Sequence, residues 1–214
     1  MSVTPALLSM AGLTGAAGWY AWRAHGPFTP TEYVWSRGLA LLCDHNGGLD
    51  FVRRQRGGRP ALPFDPTAYE GVRAGDLVWV RQTALAAFVE QILPRIREPF
   101  GLVTGDEDLS LPSDSPASNA VIENPYVVRW FTQNYDGTDG RGKMSGVPIG
   151  LDFHTISNGR KWGHLRATPA AQEAQLRNLV RRLPTTIDRE QRVHADFHLN
   201  QGTRRLFGQT RAEV

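Results

Sequence analysis

The residues able to do chemistry stand at the ends of short apolar runs. Asp106-Glu107-Asp108 follows Phe100-Gly101-Leu102-Val103-Thr104-Gly105, Gln133-Asn134 follows Trp130-Phe131-Thr132, and Asp152 and His154 follow Val147-Pro148-Ile149-Gly150-Leu151. The acidic triplet has three uses: a solvated or helix-capping turn, a general base for an acceptor hydroxyl, or hard oxygen ligands for a divalent cation. The amides of Gln133 and Asn134 suit sugar hydroxyls, with Trp130 and Phe131 as a stacking face or as core; Asn134 stands between turn chemistry and ligand contact. Gly150 permits a turn or a close backbone approach, and Asp152 and His154 then face the same crevice. His194-x-Asp196-x-His198 places three polar residues on one strand face, about 7 Å apart, as a polar edge or as part of a zinc or iron site.

Other chemistries lose their support. The chain has no G-x-G-x-x-G, Walker A, G-x-S-x-G or H-E-x-x-H motif, which removes the main signals for nicotinamide, P-loop and serine-hydrolase chemistry. Cys43 is the only cysteine, so there is no intrachain disulfide, and its place after Leu39-Ala40-Leu41-Leu42 predicts a buried thiol. The formal charge is +3 with a pI of about 9.3, carried by scattered arginines with acids between them. That pattern predicts no nucleic-acid partner. Arg53-Arg54-Gln55-Arg56-Gly57-Gly58-Arg59 is denser and reads as a solvated loop.

These residues need strands to deliver them to one place. Leu39 to Cys43, Leu77 to Val80, Phe100 to Thr104, Val127 to Phe131, Val147 to Leu151 and Val193 to Leu199 read as strands. Thr83 opens a helix with Leu85, Phe88, Val89, Ile92, Leu93 and Ile96 at helical spacing, with Pro94 as a kink or early end. Thr168-Pro169 opens another, whose stripe of Leu176, Leu179, Val180 and Leu183 predicts a face packed on a sheet. Residues 111–119 and 136–142 read as loops. Strand and helix in alternation predict an α/β fold, a Rossmann-like, parallel-rich sheet flanked by helices, which gathers strand-end residues along one edge.

Residues 5–22 are uncharged but rich in Ala and Gly, contain Ser9 and Thr14, and have no Lys or Arg before them. Residues 1–35 are therefore expected to form a leader or docked helix and residues 36–214 the Rossmann-like domain, in a cytoplasmic protein with at most a peripheral membrane association.

The strand Trp130-Phe131-Thr132-Gln133-Asn134, the Pro148-Ile149-Gly150 segment and the turn Leu102-Val103-Thr104-Gly105-Asp106 resemble the "WFxQN", "PIG" and "LxTGDxD"-like elements of exostosin-like glycosyltransferases and their bacterial and viral relatives. The resemblance covers roughly residues 75–205 and the N-terminal half of such enzymes. It implies a GT-B-type acceptor-side domain that transfers a sugar from a nucleotide sugar to a glycan acceptor, with no metal and no cofactor beyond that donor. Asp106, Asp152 and His154 become the candidates for the base, and Asn134, Gly150 and Asp196 the candidates for substrate contact. In that family the last strand carries a small residue, Asn and Phe, where this chain has Ala195-Asp196-Phe197. The donor pocket belongs to a second domain with a Gly-rich segment and an "RxWE"-like helix, absent from these residues, so a second domain or a partner chain is expected. The alternatives are a truncated relative that binds saccharide or a partner without catalysis, and a metal-dependent hydrolase built on His194, Asp196 and His198.

Overall fold

The computed structural model describes residues 31–53, 64–185 and 188. They divide into two units, one of Val34–Leu151 with the residues from Leu183 on, the other of the residues up to Tyr33 with Asp152–Arg182. The expected leader, most of the arginine-rich loop, and the strand with Asp196 lie outside the described residues.

The first unit is built on a parallel sheet. Leu77–Arg81 (β1), Phe100–Gly105 (β2), Val127–Thr132 (β3) and Met144–Gly146 (β4) lie in the order β1-β2-β3-β4, and each neighbouring pair is parallel. Helices Ser36–Leu42 (α1), Leu49–Arg53 (α2), Leu85–Gln91 (α3) and Ala117–Glu123 (α4) accompany it. This is the α/β, Rossmann-like arrangement that the alternation predicts. β2 is buried along its whole length, because it has a strand on each side and covered faces, and its sequence is correspondingly apolar. Val78, Trp79, Leu85, Phe88, Phe100, Leu102 and Trp130 fill the core. Phe51 meets Trp79 and Phe64, and Phe64 meets Tyr69, which meets Phe88, each pair edge-on with centroids between 5.4 and 5.9 Å apart. That row of rings fastens the segment before β1 to α3.

Three local expectations differ from the structure. Residues 39–43 belong to α1 and its C-terminal end, not to a strand: Leu and Ala favour helix over sheet, and the run splits between faces, with Ala40 buried and Leu42 77% exposed. The last strand is Met144–Gly146, ahead of the expected 147–151. Val147 N–H still donates to Thr132 O, but Pro148 has no N–H with which to continue the ladder. Ser-, Pro- and Asp-rich context hides α4, which begins beside Pro116 and buries Ser118, Val121 and Ile122 at helical spacing. Pro94 ends α3 as expected: the helix stops at Gln91 and Leu93–Arg95 forms a 3-10 turn. The Cys43 thiol is buried and donates to Leu39 O, and burial, with the Asp44 charge, pushes its pKa up to about 12.

The second unit joins residues 31–33 to Phe153–Asn158 (α5) and Pro169–Arg182 (α6). α6 does not bury the expected leucine stripe. Its buried residues are Pro169, Gln172 and Glu173, while Leu179 and Val180 are 58% and 53% exposed. Polar groups make the attachment instead: Gln172 donates to Phe153 O and Ala167 O, and Glu173 accepts the backbone N–H groups of Glu32 and Tyr33. These bonds pair backbone groups of residues 32–33, Phe153 and Ala167 with side chains of α6. Among the described residues no helix is long and apolar enough to cross a membrane.

At Gly150 the backbone runs close against that of Val34 and Trp35. The φ of Gly150 is +71°, and a Cβ there would stand 2.1 Å from Val34 O. Gly71 has a similar φ of +76° and open space around it, so it isolates the conformational cost of about 1–2 kcal/mol. In chemical denaturation Gly71→Ala is expected to lose about that much. Gly150→Ala loses more, because the Val34 carbonyl has to move as well.

Candidate functional site

The carboxyl ends of β1, β2 and β3 converge on a buried polar cluster. Register places Arg81, the last residue of β1, beside Gly105, the last of β2, so the next residue, Asp106, comes level with the Arg81 guanidinium. Asp106 turns inward. Its Oδ2 accepts from Arg81 at 3.0 Å and from Arg37 Nε at 3.1 Å, and its Oδ1 accepts from Arg37 Nε at 3.2 Å and Ser36 Oγ at 3.4 Å. The side chains of Arg37 and Asp106 are each 5% exposed and that of Arg81 1%. Arg81 also donates to Phe51 O and Val52 O and lies over the Phe51 ring.

Asp106 and Asn134 both adopt left-handed backbone, with φ of 65° and 54°. Asp and Asn tolerate this region better than other non-glycine residues. Asp106 N–H donates to Gln133 Oε1 at 2.8 Å, and Asn134 Nδ2 donates to Glu107 O at 3.2 Å. The turns after β2 and β3 are thus bonded to each other. Thr83 donates to Glu107, and Asp108 is exposed, so the triplet's three carboxylates do not share one direction. Among the described residues no group of three His, Cys, Asp or Glu side chains could hold a metal ion.

Beneath the turns lies a layer of buried polar side chains. Thr104 Oγ1 is 2.7 Å from Thr132 Oγ1 and accepts from Trp130 Nε1, and Gln82 Nε2 donates to Gln133 O. Among the described residues two atoms of this layer have no hydrogen-bond partner, the acceptor Gln82 Oε1 and the donor Gln133 Nε2. Buried polar atoms are normally bonded, so such a pair calls for a physical reason.

Of the sequence candidates, the structure brings Asp106 and Asn134 together. Gly150 is in the same unit and has a structural task in its contact with Val34 and Trp35. Asp152 and His154 form a pair in the other unit: Asp152 Oδ1 lies 2.9 Å from His154 Nδ1 and accepts from Thr155 N–H as the cap of α5. Burial opposes the charge on Asp152, but the bonds from His154 and Thr155 outweigh it and bring its pKa down to about 2. Asp196 lies outside the described residues. Sequence reasoning missed Arg37, Arg81 and Gln82. An arginine or glutamine closing an apolar strand reads as solvent-facing, and only the parallel register turns that position into a strand-end site. A cavity of about 320 Å³ lined by Tyr69, Ile92, Arg95 and Glu98, among others, borders the segments entering β1 and β2, at the opposite end of the sheet. None of the candidates lines it.

Two outcomes test this description. Asp106→Ala removes the carboxylate shared by two buried guanidinium groups and is expected to cost about 3–5 kcal/mol in urea denaturation. For Asp152 the folded pKa is depressed, so its contribution to stability is complete above the unfolded value near 4 and is lost as pH falls toward 2. The stability gap between the wild type and Asp152→Asn is therefore expected to be smaller at about pH 3 than at about pH 6. A gap that widens on acidification would contradict the assigned hydrogen bonds.

No family model matches this chain, and neither the curated proteins nor the solved structures provide a match.

Proposed function

We propose that this chain is the acceptor-side, GT-B-like part of an exostosin-like inverting glycosyltransferase, acting in the cytoplasm on a glycan acceptor with a nucleotide sugar as donor. The observation that carries the reading is the exposed amide of Asn134 at the strand ends, in a turn bonded to that of Asp106 and Glu107. The amide's oxygen accepts, and its nitrogen donates, already once to Glu107 O. A saccharide hydroxyl, or a water bound with it, does both and suits such a set. The carboxyl edge of a parallel sheet is also where α/β proteins bind ligands.

In the transfer the acceptor oxygen attacks the anomeric carbon, the bond to the nucleoside diphosphate breaks, and the diphosphate leaves with the electron pair. The acceptor proton passes to a base. Taken by itself, the Asp152–His154 pair of the other unit has the arrangement of an oriented base. The carboxylate orients the imidazole at 2.9 Å and is itself about half exposed. Both oxygens of Asp106, by contrast, are engaged by Arg37, Arg81 and Ser36, which suits Asp106 to positioning the strand-end turn. That engagement also favours a second reading, a saccharide-binding protein without transferase activity.

The test uses the whole chain with a panel of oligosaccharides and nucleotide sugars. Saccharide binding is expected, and Asn134→Gly, which keeps the left-handed backbone and removes the amide, weakens it about tenfold. Release of nucleoside diphosphate by this chain alone is expected to be weak or absent, because the donor pocket belongs to a second domain or a partner chain. Robust release by this chain alone overturns the reading of it as the acceptor-side part of an enzyme. Absence of saccharide binding overturns the proposal.

A further inference from the structure

In the second unit, residues 160–166 form a protruding turn that carries its apolar side chains outward. Lys161 and His164 pair as an antiparallel bridge, with His164 N–H donating to Lys161 O at 2.8 Å. The two residues between them are both left-handed, Trp162 at φ 47° and Gly163 at φ 77°. Turns of this kind call for Asn, Asp or Gly at such positions. Trp162 has the wrong shape for its backbone and lies 77% exposed, with Leu165 71% exposed close by. A large apolar residue kept in a strained conformation at the tip of a turn, where burial returns nothing, points to a use outside the folded unit.

The flanking charges say which use. Arg160, Lys161, His164 and Arg166 are exposed, and residues 159–167 contain no Asp or Glu. Among the described residues neither Arg160 nor Lys161 has an ion-pair partner. The surface is therefore an apolar tip with a cationic collar. Indole rings favour the boundary between headgroups and acyl chains, aliphatic side chains favour the hydrocarbon below, and Lys and Arg bind anionic headgroups. A glycan would use the ring of Trp162 but has no use for exposed Leu165. A turn that projects is also a poor match for a ligand that prefers clefts.

We propose that the Arg160–Arg166 turn is a docking site for anionic phospholipid membranes, with Trp162 and Leu165 entering the interface and Arg160 and Lys161 contacting phosphate headgroups. This inference is independent of the glycosyltransferase reading.

The test is co-sedimentation of the whole chain with phosphatidylcholine vesicles, with and without about one-third phosphatidylglycerol. Binding is expected for the anionic vesicles and is weakened by added salt. The double variant Arg160→Gln, Lys161→Gln is expected to lower partitioning about tenfold or more. Trp162→Gly is the decisive variant, because glycine suits the left-handed backbone. It is expected to abolish most of the binding without lowering the Tm. Anionic vesicles that fail to bind the wild type overturn the proposal. So does equal binding by Trp162→Gly, and so does binding of an acidic polysaccharide such as heparin in preference to the vesicles with the same dependence on Trp162.

Discussion

The contact on which the sheet's working edge depends is the carboxylate of Asp106 held between Arg37 and Arg81. Three segments meet there: α1, the end of β1 and the turn after β2. Each ionic group has left water, and the loss of solvation is recovered only where the carboxylate oxygens and the guanidinium donors stay in register. A slip of β1 against β2 by one residue would take Arg81 away from its place beside Gly105 and turn its side chain to the other face. A small error in pairing therefore carries a large electrostatic cost. The cluster selects one register among several that the apolar side chains alone would tolerate, and it brings α1 to the sheet.

The layer beneath the cluster extends the same logic. Thr104, Thr132, Gln82 and Gln133 are buried where the strands run out, so the apolar core stops short of the carboxyl edge. Hydrogen bonds there are directional, whereas contacts among Leu102, Val78 and Phe100 are not. The far end of the sheet is consequently fixed by geometry and the centre by volume. Gly105 shows how tight the fit is, because a Cβ on it would stand 2.9 Å from the Gln133 amide. The left-handed backbones of Asp106 and Asn134 are sustained by this scaffold, each through a bond to the neighbouring turn.

Three of the four strands were legible because β-branched and aromatic residues cluster in them and Gly or charged residues bound them. The remaining differences have local causes. α1 and a buried strand share the same short apolar run, and periodicity cannot separate them. Pro148 displaced the last strand, and polar neighbours masked α4. For the site, Asp106 and Asn134 were visible as polar residues just past strands. Arg37 and Arg81 were not, since their partner is 69 and 25 positions away in the chain and no local pattern records such a pairing. α6 misled for the opposite reason. Its leucine stripe is a strong helical signal, but burial followed Gln172 and Glu173, whose side chains complete the bonding of backbone groups.

The non-glycine residues with positive φ show how a departure from ordinary backbone preference should be weighed. Asp106, Asn134 and Trp162 share that geometry, yet their circumstances differ. Asp106 and Asn134 belong to the types that tolerate it, and each is bonded to an adjoining turn, so their conformation is explained by the packing of the sheet edge. Trp162 is of an intolerant type, its side chain makes no hydrogen bond among the described residues, and it is largely exposed. Among the described residues nothing offsets the strain. A glycine in its place would relieve the backbone and remove an exposed apolar surface together, so folding alone offers no reason for tryptophan. The proposed membrane contact supplies a reason for the indole, and the basic residues around it suit a surface carrying negative charge.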